Sequence, residues 1–358
     1  MAHKTLRRLV WRQHWSILLL ILIGLVGSAA VQSLYGSQAW HTQSDPRLID
    51  SQVQYRRKHH DYVDSVGKRY SSKQAFLKDY QERQLQVYRQ QPTKKTKTIR
   101  GNFGTKINQY YFVIGILAGT VMIWYARRRY LNEFLQTLGY RRSEIYRQQW
   151  LQYGLTVVSG VVMGSLVNLA ILRSQIPAAY FTYFKWQAWL QDLMGDAVVA
   201  LCVFAIASLA TVVINNVIVA GALTLSLYLY WWMPQSVWQN ATTAIASNYL
   251  SRHWELGCGL AVLLIGISWG LARWLVSDYS AEQRSQLVVH RSLRLILLLI
   301  MSVPLGVILS RIFRGFILSN TSWPSLVLGW ILSLIVLSAW VYRPKWSRRL
   351  WELMGQLR

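Results

Sequence analysis

The residues best placed for chemistry are two carboxylates, Asp192 and Asp196, one helical turn apart at the predicted start of an apolar segment. A carboxylate within a membrane is costly and therefore often functional, so the pair could line a substrate path. Alternatively, both could complement the positive end of the helix dipole while still reaching interfacial water. The sequence favours this second, simpler interpretation and leaves the first open.

The sequence lacks the residue patterns that other kinds of catalytic chemistry require. No H-E-x-x-H or phosphate-binding G-x-x-x-x-G-K-[ST] pattern occurs, and the nearest match, Gly101 to Lys106, has the wrong spacing. Cys202 and Cys258 lie in apolar blocks, where thiols usually serve as packing groups. We therefore expect no enzymatic activity, no metal site and no cofactor bound by this chain. The seven histidines are terminal, in loops or at segment boundaries: His3, His14, His41, His59, His60, His253 and His290.

Apolar residues form separated blocks of seventeen or more, while 15% of the chain is charged. A helix needs about 20 such residues to cross a bilayer, and Trp and Tyr cluster near the block ends, as at membrane interfaces. The sequence thus predicts an all-α polytopic membrane protein. About eight transmembrane helices are expected, at about 15–35, 109–126, 152–172, 192–214, 217–233, 256–276, 293–309 and 324–342.

The positions of the basic residues predict the orientation. Of 39 Lys and Arg, 19 fall in segments assigned to the cytoplasm, 5 in short external loops and 15 in one long external segment. Cytoplasmic loops carry the excess of Lys and Arg, whereas long translocated loops escape this rule. Both termini are therefore predicted to be cytoplasmic in a multi-pass plasma-membrane protein. The net charge of +25 is explained without nucleic acid, and the composition is compatible with a bacterial membrane.

Interfacial helices are predicted at both ends of the chain. In residues 1–14, four basic groups accompany Leu6, Leu9 and Val10 on one side of a helix, which would lie on the inner membrane surface and lead into the first span, together residues 1–35. The tail, 343–358, has the same amphipathic spacing. Spans two to six occupy 109–276, and spans seven and eight occupy 277–342.

Residues 36–108 form the one sizeable external segment, in which Lys and Arg outnumber Asp and Glu by 15 to 6. Residues 44–70 and 71–91 contain few Gly or Pro and favour helix, whereas 91–104 reads as a linker. The segment could attract anionic lipid, a wall polymer or an acidic peptide. It could equally be a solvated helical cap.

The stretch from 128 to 148 predicts a helix, a stop and a second helix between the second and third spans. Leu131, Phe134, Leu135 and Leu138 follow the helical i, i+3, i+4, i+7 spacing. Gly139 can end the helix, and Ser143 can cap the next one. A short amphipathic helix should therefore offer an apolar ridge and an exposed carboxylate, Glu133, at the inner membrane face.

This pattern resembles the ABC type 2 transporter permease family, in which a basic cluster precedes Glu-Phe-Leu, a Leu-containing turn, a basic pair and an Ile. Hydropathy and topology extend the resemblance over about residues 1–276. It implies a coupling helix that docks into an ATP-binding cassette subunit, which binds the ATP. By position, the contact residues would be Leu131, Glu133, Phe134, Leu135 and Leu138, with Arg141 and Arg142 anchoring the element at the membrane or partner.

The expected function is a permease subunit that pairs with a second permease chain and with separate ATPase subunits. Its substrate would be amphipathic, peptide or lipid-like. The alternative is a membrane sensor or scaffold whose basic external segment binds an antimicrobial peptide or a cell-wall component.

Overall fold

The structure is a computed structural model and is mostly helical. It describes residues 2–51, 53–56, 61–64, 68–92, 97–105, 108–214, 220–221, 223–225, 254–277 and 322–342, with short helical runs between 294 and 310. The predicted fifth span, most of the loop before the sixth span and the amphipathic tail fall largely or wholly outside these residues. The number of spans, about eight, therefore stays a prediction.

Within the described residues, 5 helices are long and apolar enough to cross a membrane. They fall in α1 (Ala2–Gln43), α4 (Asn108–Arg128), α6 (Arg142–Gln175), α7 (Trp186–Val213) and α8 (Trp254–Ser277). The predicted first, second, third, fourth and sixth spans lie within them, so the polytopic helical class is confirmed at this level. A further helix, α9 (Ser322–Tyr342), covers the predicted eighth span and contains the apolar stretch Val327–Ser338.

The first helix differs from the expectation of a separate interfacial helix. Residues 2–43 form one continuous helix of 42 residues, which at 1.5 Å per residue is roughly 63 Å long. No Gly or Pro interrupts residues 5–23, so nothing in the sequence breaks the helix between the basic stretch and the apolar span.

In the polar segment, residues 36–108, the stretch 44–70 does not form the helix that was predicted. After α2 (Pro46–Ser51), strands β1 (Val53–Arg56), β2 (Asp61–Asp64) and β3 (Arg69–Tyr70) form an antiparallel sheet in the order β1-β2-β3. Val53 pairs with Asp64, and Tyr62 pairs with Tyr70. The Val and Tyr side chains of these strands favour strand over the helix that low Gly and Pro content suggested.

The second half of the polar segment contains α3 (Lys73–Arg83), as expected, and a hairpin where a linker was predicted. Strands β4 (Tyr88–Pro92) and β5 (Lys97–Gly101) pair antiparallel, with Gln90 opposite Ile99. Ser72 caps α3 by accepting a hydrogen bond from the Ala75 amide.

The chain divides into two compact units, one of which comprises residues 14–114 and 155–200. Its polar segment has an apolar core of Ile49, Tyr70, Phe76, Tyr80 and Leu85. A second cluster contains Trp40, Val87, Tyr88, Phe103, Leu172 and Ile176. The Trp40 indole Nε1 donates to the Leu85 carbonyl at 2.9 Å, so the end of α1 and the segment before β4 are joined by both apolar and polar contacts.

The same unit contains a buried polar network at the turn after β5. The Asn168 Nδ2 of α6 donates to Ser33 Oγ at 2.6 Å and to the Gly104 carbonyl at 3.0 Å. Phe103 and Gly104 both have positive φ, 49° and 77°. At Gly36 the turn approaches α1 so closely that a β-carbon there would collide with the Phe103 carbonyl.

The other unit comprises residues 1–13, 115–154 and 201–358. It contains α5 (Leu131–Thr137), α8 and α9. Trp330 Nε1 of α9 donates to Ser302 Oγ at 2.9 Å, and Leu337 packs with Leu298 and Met301. The described helical residues near 302 therefore pack against α9 through polar and apolar contacts.

Candidate partner-binding site at α5

The predicted helix, stop and second helix are present between α4 and α6. Helix α4 ends at Arg128, and Tyr130 then adopts a left-handed conformation with φ of 52°. Helix α5 follows over Leu131–Thr137, with the Phe134 amide donating to the Tyr130 carbonyl at 3.0 Å. The reversal from α4 to α5 thus occurs within two residues.

Gly139 ends α5 in a Schellman motif. The Tyr140 amide donates to the Leu135 carbonyl at 3.2 Å, and the Gly139 amide donates to the Gln136 carbonyl at 2.9 Å. Gly139 has φ of 87°, which glycine adopts without strain. Tyr140 packs against the apolar cluster that contains Leu135, as this motif commonly requires.

The start of α6 shows that the predicted N-cap residue, Ser143, was wrong. The helix begins at Arg142, so Ser143 lies inside it and cannot be its N-cap residue. Instead the Glu144 carboxylate accepts a hydrogen bond from the Arg141 amide at 3.3 Å, which is the carboxylate half of a capping box. The predicted boundary was therefore wrong by about two residues, a common error at helix ends.

Two of the predicted partner contacts face the protein instead. Leu131 and Leu135 are 4% and 0% exposed. They pack with Leu6, Val10 and Ile145, and we call these five residues the α5 cluster. The apolar side of the first turns of α1, noted in the sequence, is therefore covered by α5. A partner cannot contact Leu131 or Leu135 while this cluster is intact.

The flank of α5 next to its buried side chains remains accessible. Phe134 and Leu138, four residues apart on that flank, are 53% and 52% exposed, and Tyr130, just before the helix begins, is 60% exposed. We call these three side chains the exposed stripe. Arg128, Arg129 and Arg141 are exposed beside it in sequence. Phe134 and Leu138 are thus available to a partner, as predicted, with Tyr130 added.

The predicted exposed carboxylate, Glu133, is only half-exposed. It lines a cavity of about 50 Å³ that we call the root cavity. Two of the predicted residues, Glu133 and Arg142, therefore meet at this cavity instead of on the outer surface. The remaining lining residues are Ile123, Arg127, Asn132, Gln136, Tyr146, Gln149, Val212 and Val276.

Arg127 joins the end of α4 to the end of α7. Its two terminal nitrogens donate to the carbonyls of Thr211 and Val212 at 3.0 and 3.2 Å. These carbonyls belong to the last turn of α7, where intrahelical partners are lacking and a cation is favourable. The basic cluster therefore has a structural role that the sequence, read as topology alone, did not show.

Further polar contacts hold α5 and α6 in place. Gln149 Nε2 donates to Asn132 Oδ1 at 3.1 Å, and Gln152 Nε2 donates to the Arg7 carbonyl at 2.9 Å. The Tyr146 hydroxyl lies 3.3 Å from Ser208 Oγ. Their only signal in the sequence was polar side chains at the start of an apolar span.

The two aspartates occupy different surroundings from those expected. Helix α7 begins at Trp186, so Asp192 and Asp196 lie in its second and third turns. The helix dipole acts mainly within the first turn, which removes most of the dipole explanation. Asp192 is exposed and Asp196 half-buried. A role in a substrate path remains a prediction.

The charge of Asp192 reaches the polar segment. Burial raises the pKa of the Tyr88 phenol, and the negative charge of Asp192 raises it further, while Arg173 acts in the opposite direction. Arg173 also lies over the Phe184 ring, 4.8 Å from its centroid. This corner therefore combines charge with aromatic side chains, as membrane interfaces commonly do.

Among the described residues, no group of three or more His, Cys, Asp or Glu is arranged to hold a metal ion. No protein-family model, curated protein or solved structure matches the chain.

Proposed function

We propose that this chain is the membrane-spanning permease subunit of an ABC transporter and that α5 is its coupling helix. The observation that carries the proposal is the uneven burial of the apolar ridge of α5. Leu131 and Leu135 are anchored in the α5 cluster, while the exposed stripe leaves Tyr130, Phe134 and Leu138 accessible beside them. A docking element requires such a combination of a fixed base and an accessible apolar face.

The contacts of α5 also support transmission of a movement of α5 to the long helices α1 and α6. A partner that displaces the exposed stripe moves Leu131 and Leu135, which pack on Leu6, Val10 and Ile145 of α1 and α6. Because packed interiors deform little, such a displacement passes to both long helices. ATP would be bound and hydrolysed by the separate partner subunits, and the work done in this chain would be conformational.

In this proposal the chain lies in a plasma membrane with both termini cytoplasmic and pairs with a second permease chain. The substrate is amphipathic, a peptide or lipid-like. The five long apolar helices support membrane embedding. The root cavity, at about 50 Å³, has space for only a few waters, so it is not the substrate path.

The test is co-purification with candidate ATP-binding cassette subunits from the same genome. Phe134→Ala and Leu138→Ala remove apolar surface from the exposed stripe, and each should reduce recovered ATPase about tenfold or more, as expected when an interface anchor is truncated. Leu260→Ala is the matched control, because Leu260 is 52% exposed, like Leu138, but lies on α8.

A second comparison separates docking from folding. Leu135→Ala empties part of the α5 cluster and should cost about 2–5 kcal/mol of stability, whereas Leu138→Ala should cost little. Thermal unfolding in detergent measures both. Full ATPase recovery with Phe134→Ala and Leu138→Ala, in chains that remain folded, would contradict the coupling-helix assignment.

One observation favours the alternative function, a membrane sensor or scaffold. The polar segment has its own apolar core and two small sheets, a more elaborate structure than a solvated cap requires. Arg47, Arg69, Lys73 and Lys78 are exposed on it. Binding of an anionic wall polymer by the full chain, together with an ATPase that binds without driving transport, would support this function over the permease.

A further inference from the structure

The root cavity combines features of an anion site. Its lining contributes two guanidinium groups, Arg127 and Arg142, against one carboxylate, Glu133, for a net charge of +1. Arg128, Arg129 and Arg141, adjacent in sequence to the lining residues, are exposed cations. The potential around the opening therefore favours an anion.

Hydrogen-bond donors in the lining remain available. The Arg142 guanidinium and the Gln136 amide have no hydrogen-bond partner within the part of the chain that the structure describes. Asn132 accepts from Gln149 through its oxygen, which leaves its amide nitrogen as a donor. Guanidinium and amide donors together are the groups that recognise phosphate oxygens.

The size of the cavity fits a tetrahedral anion. A cavity needs roughly 10–15 Å³ for each water-sized position, so about 50 Å³ provides about four positions, the number of oxygens in a phosphate group. A metal ion is a poorer occupant, because Glu133 is the only carboxylate in the lining.

We propose that the root cavity binds a phosphate group and that its occupancy holds α5 against α6. The ligand would contact Arg142 and Gln136, which lie on α6 and α5, and so would join the two helices. The phosphate could come from an anionic lipid headgroup or from the free ion. This proposal does not depend on ATPase binding.

The test uses the full chain in phosphate-free maltoside detergent, with thermal unfolding as the readout. One arm adds inorganic phosphate against chloride at equal ionic strength. The other adds phosphatidylglycerol against diacylglycerol, which lacks the phosphate. A ligand that binds only the folded state raises the unfolding temperature with concentration. Response in the first arm identifies the free ion, and response in the second identifies the lipid headgroup; either supports the proposal.

Variants that change the charge of the lining in opposite directions make the test specific. Arg142→Gln should weaken the apparent affinity about tenfold, and Glu133→Gln should strengthen it about threefold, because the lining loses a positive charge in one and a negative charge in the other. Arg129→Gln, which removes an exposed cation outside the lining, should change it less than about twofold. Gln136→Leu removes a donor without changing charge and should also weaken binding, which keeps the test decisive if Arg142→Gln fails to fold.

Two results would overturn the proposal. One is a wild-type chain that neither phosphate nor phosphatidylglycerol stabilises. The other is equal weakening by Arg129→Gln and Arg142→Gln, which would reduce the effect to screening of surface charge.

Discussion

Neighbouring side chains on α5 have opposite surroundings, and this decides their roles. Glu133 lines the root cavity, Phe134 is exposed and Leu135 is fully buried. The family resemblance, carried over by position, predicted all three as partner contacts. The sequence did not specify which residues of the apolar ridge of α5 are covered, because the covering side chains, Leu6 and Val10, are more than a hundred residues away in the chain.

A single carboxylate connects the sheet and helix of the polar segment. Asp79 accepts hydrogen bonds from Lys68 Nζ at 3.0 Å and the Tyr70 hydroxyl at 2.8 Å, and pairs with Arg83 at 2.8 Å. Burial alone would raise its pKa, but the hydrogen bonds from Lys68 and Tyr70 and the nearby positive charges outweigh burial and lower the pKa.

The lowered pKa of Asp79 predicts an acid-sensitive contribution to stability. The folded state binds the proton less well than the unfolded state, so the stabilisation is present above the unfolded pKa of about 3.9 and is lost as pH falls through the lower folded value. Because the charged partners, Lys68 and Arg83, are exposed to solvent, the effect should be about threefold to fivefold in the amide protection of α3. Hydrogen exchange of the peptide covering α3, corrected for intrinsic rates, measures it.

The comparison for Asp79 is with Glu82, an exposed carboxylate on the same helix. Asp79→Asn should abolish the acid-dependent loss of protection, whereas Glu82→Gln should leave it in place. Persistence of the full pH dependence in Asp79→Asn would assign it to other groups.

At the scale of elements, the helices that contain the predicted spans were recognisable because hydropathy is a local property of 20 or so residues. The strands were not recognisable from the sequence. Residues 97–101 show no clear alternation of polar and apolar side chains, and their assignment to β5 depends on pairing with β4, as between Gln90 and Ile99. Low Gly and Pro content in residues 44–70 is compatible with helix or strand, so it did not decide between them.

The contact between α1 and the turn after β5 predicts a severe effect of one added methyl group. Gly36→Ala places a β-carbon against the Phe103 backbone, and backbone cannot move aside as a side chain can. We expect a loss of about 3 kcal/mol in the free energy of unfolding, near the upper end for overpacking. Thermal unfolding of the purified chain measures it.

Gly27→Ala is the control for Gly36→Ala. It lies on the same helix, and among the described residues no atom beyond the helix's own nearby backbone lies within 4 Å of the position that the added methyl group would occupy, so the change should be neutral or slightly stabilising. Equal effects of the two substitutions would show that helix propensity, not the Phe103 contact, is responsible.

At the scale of the whole molecule, the predicted orientation depends on charge. The stretches 1–13 and 127–147 contain 10 Lys and Arg against 2 Asp and Glu, an excess typical of cytoplasmic segments. With Cys202 and Cys258 replaced by Ala, Tyr55→Cys should react with a membrane-impermeant maleimide in intact cells. Phe134→Cys should react only after permeabilisation. Both residues are about half-exposed, so accessibility within the fold does not confound the result. Labelling of Phe134→Cys in intact cells would reverse the orientation.

The contacts of the polar segment also set an order of events during synthesis. Synthesis of the segment is complete at about residue 108. The Gly104 carbonyl and the Val87 amide, however, form hydrogen bonds with Asn168 and the Tyr180 carbonyl, which are made later. At roughly 5–20 residues per second, a ribosome needs about 4–14 s to make the roughly 70 residues from 108 to Tyr180. For that interval the nascent segment lacks the covering for Trp40 and Val87 that Leu172 and Ile176 later provide. A chaperone that shields nascent apolar surface would therefore act on this protein within that interval, before residues 172–180 have been made.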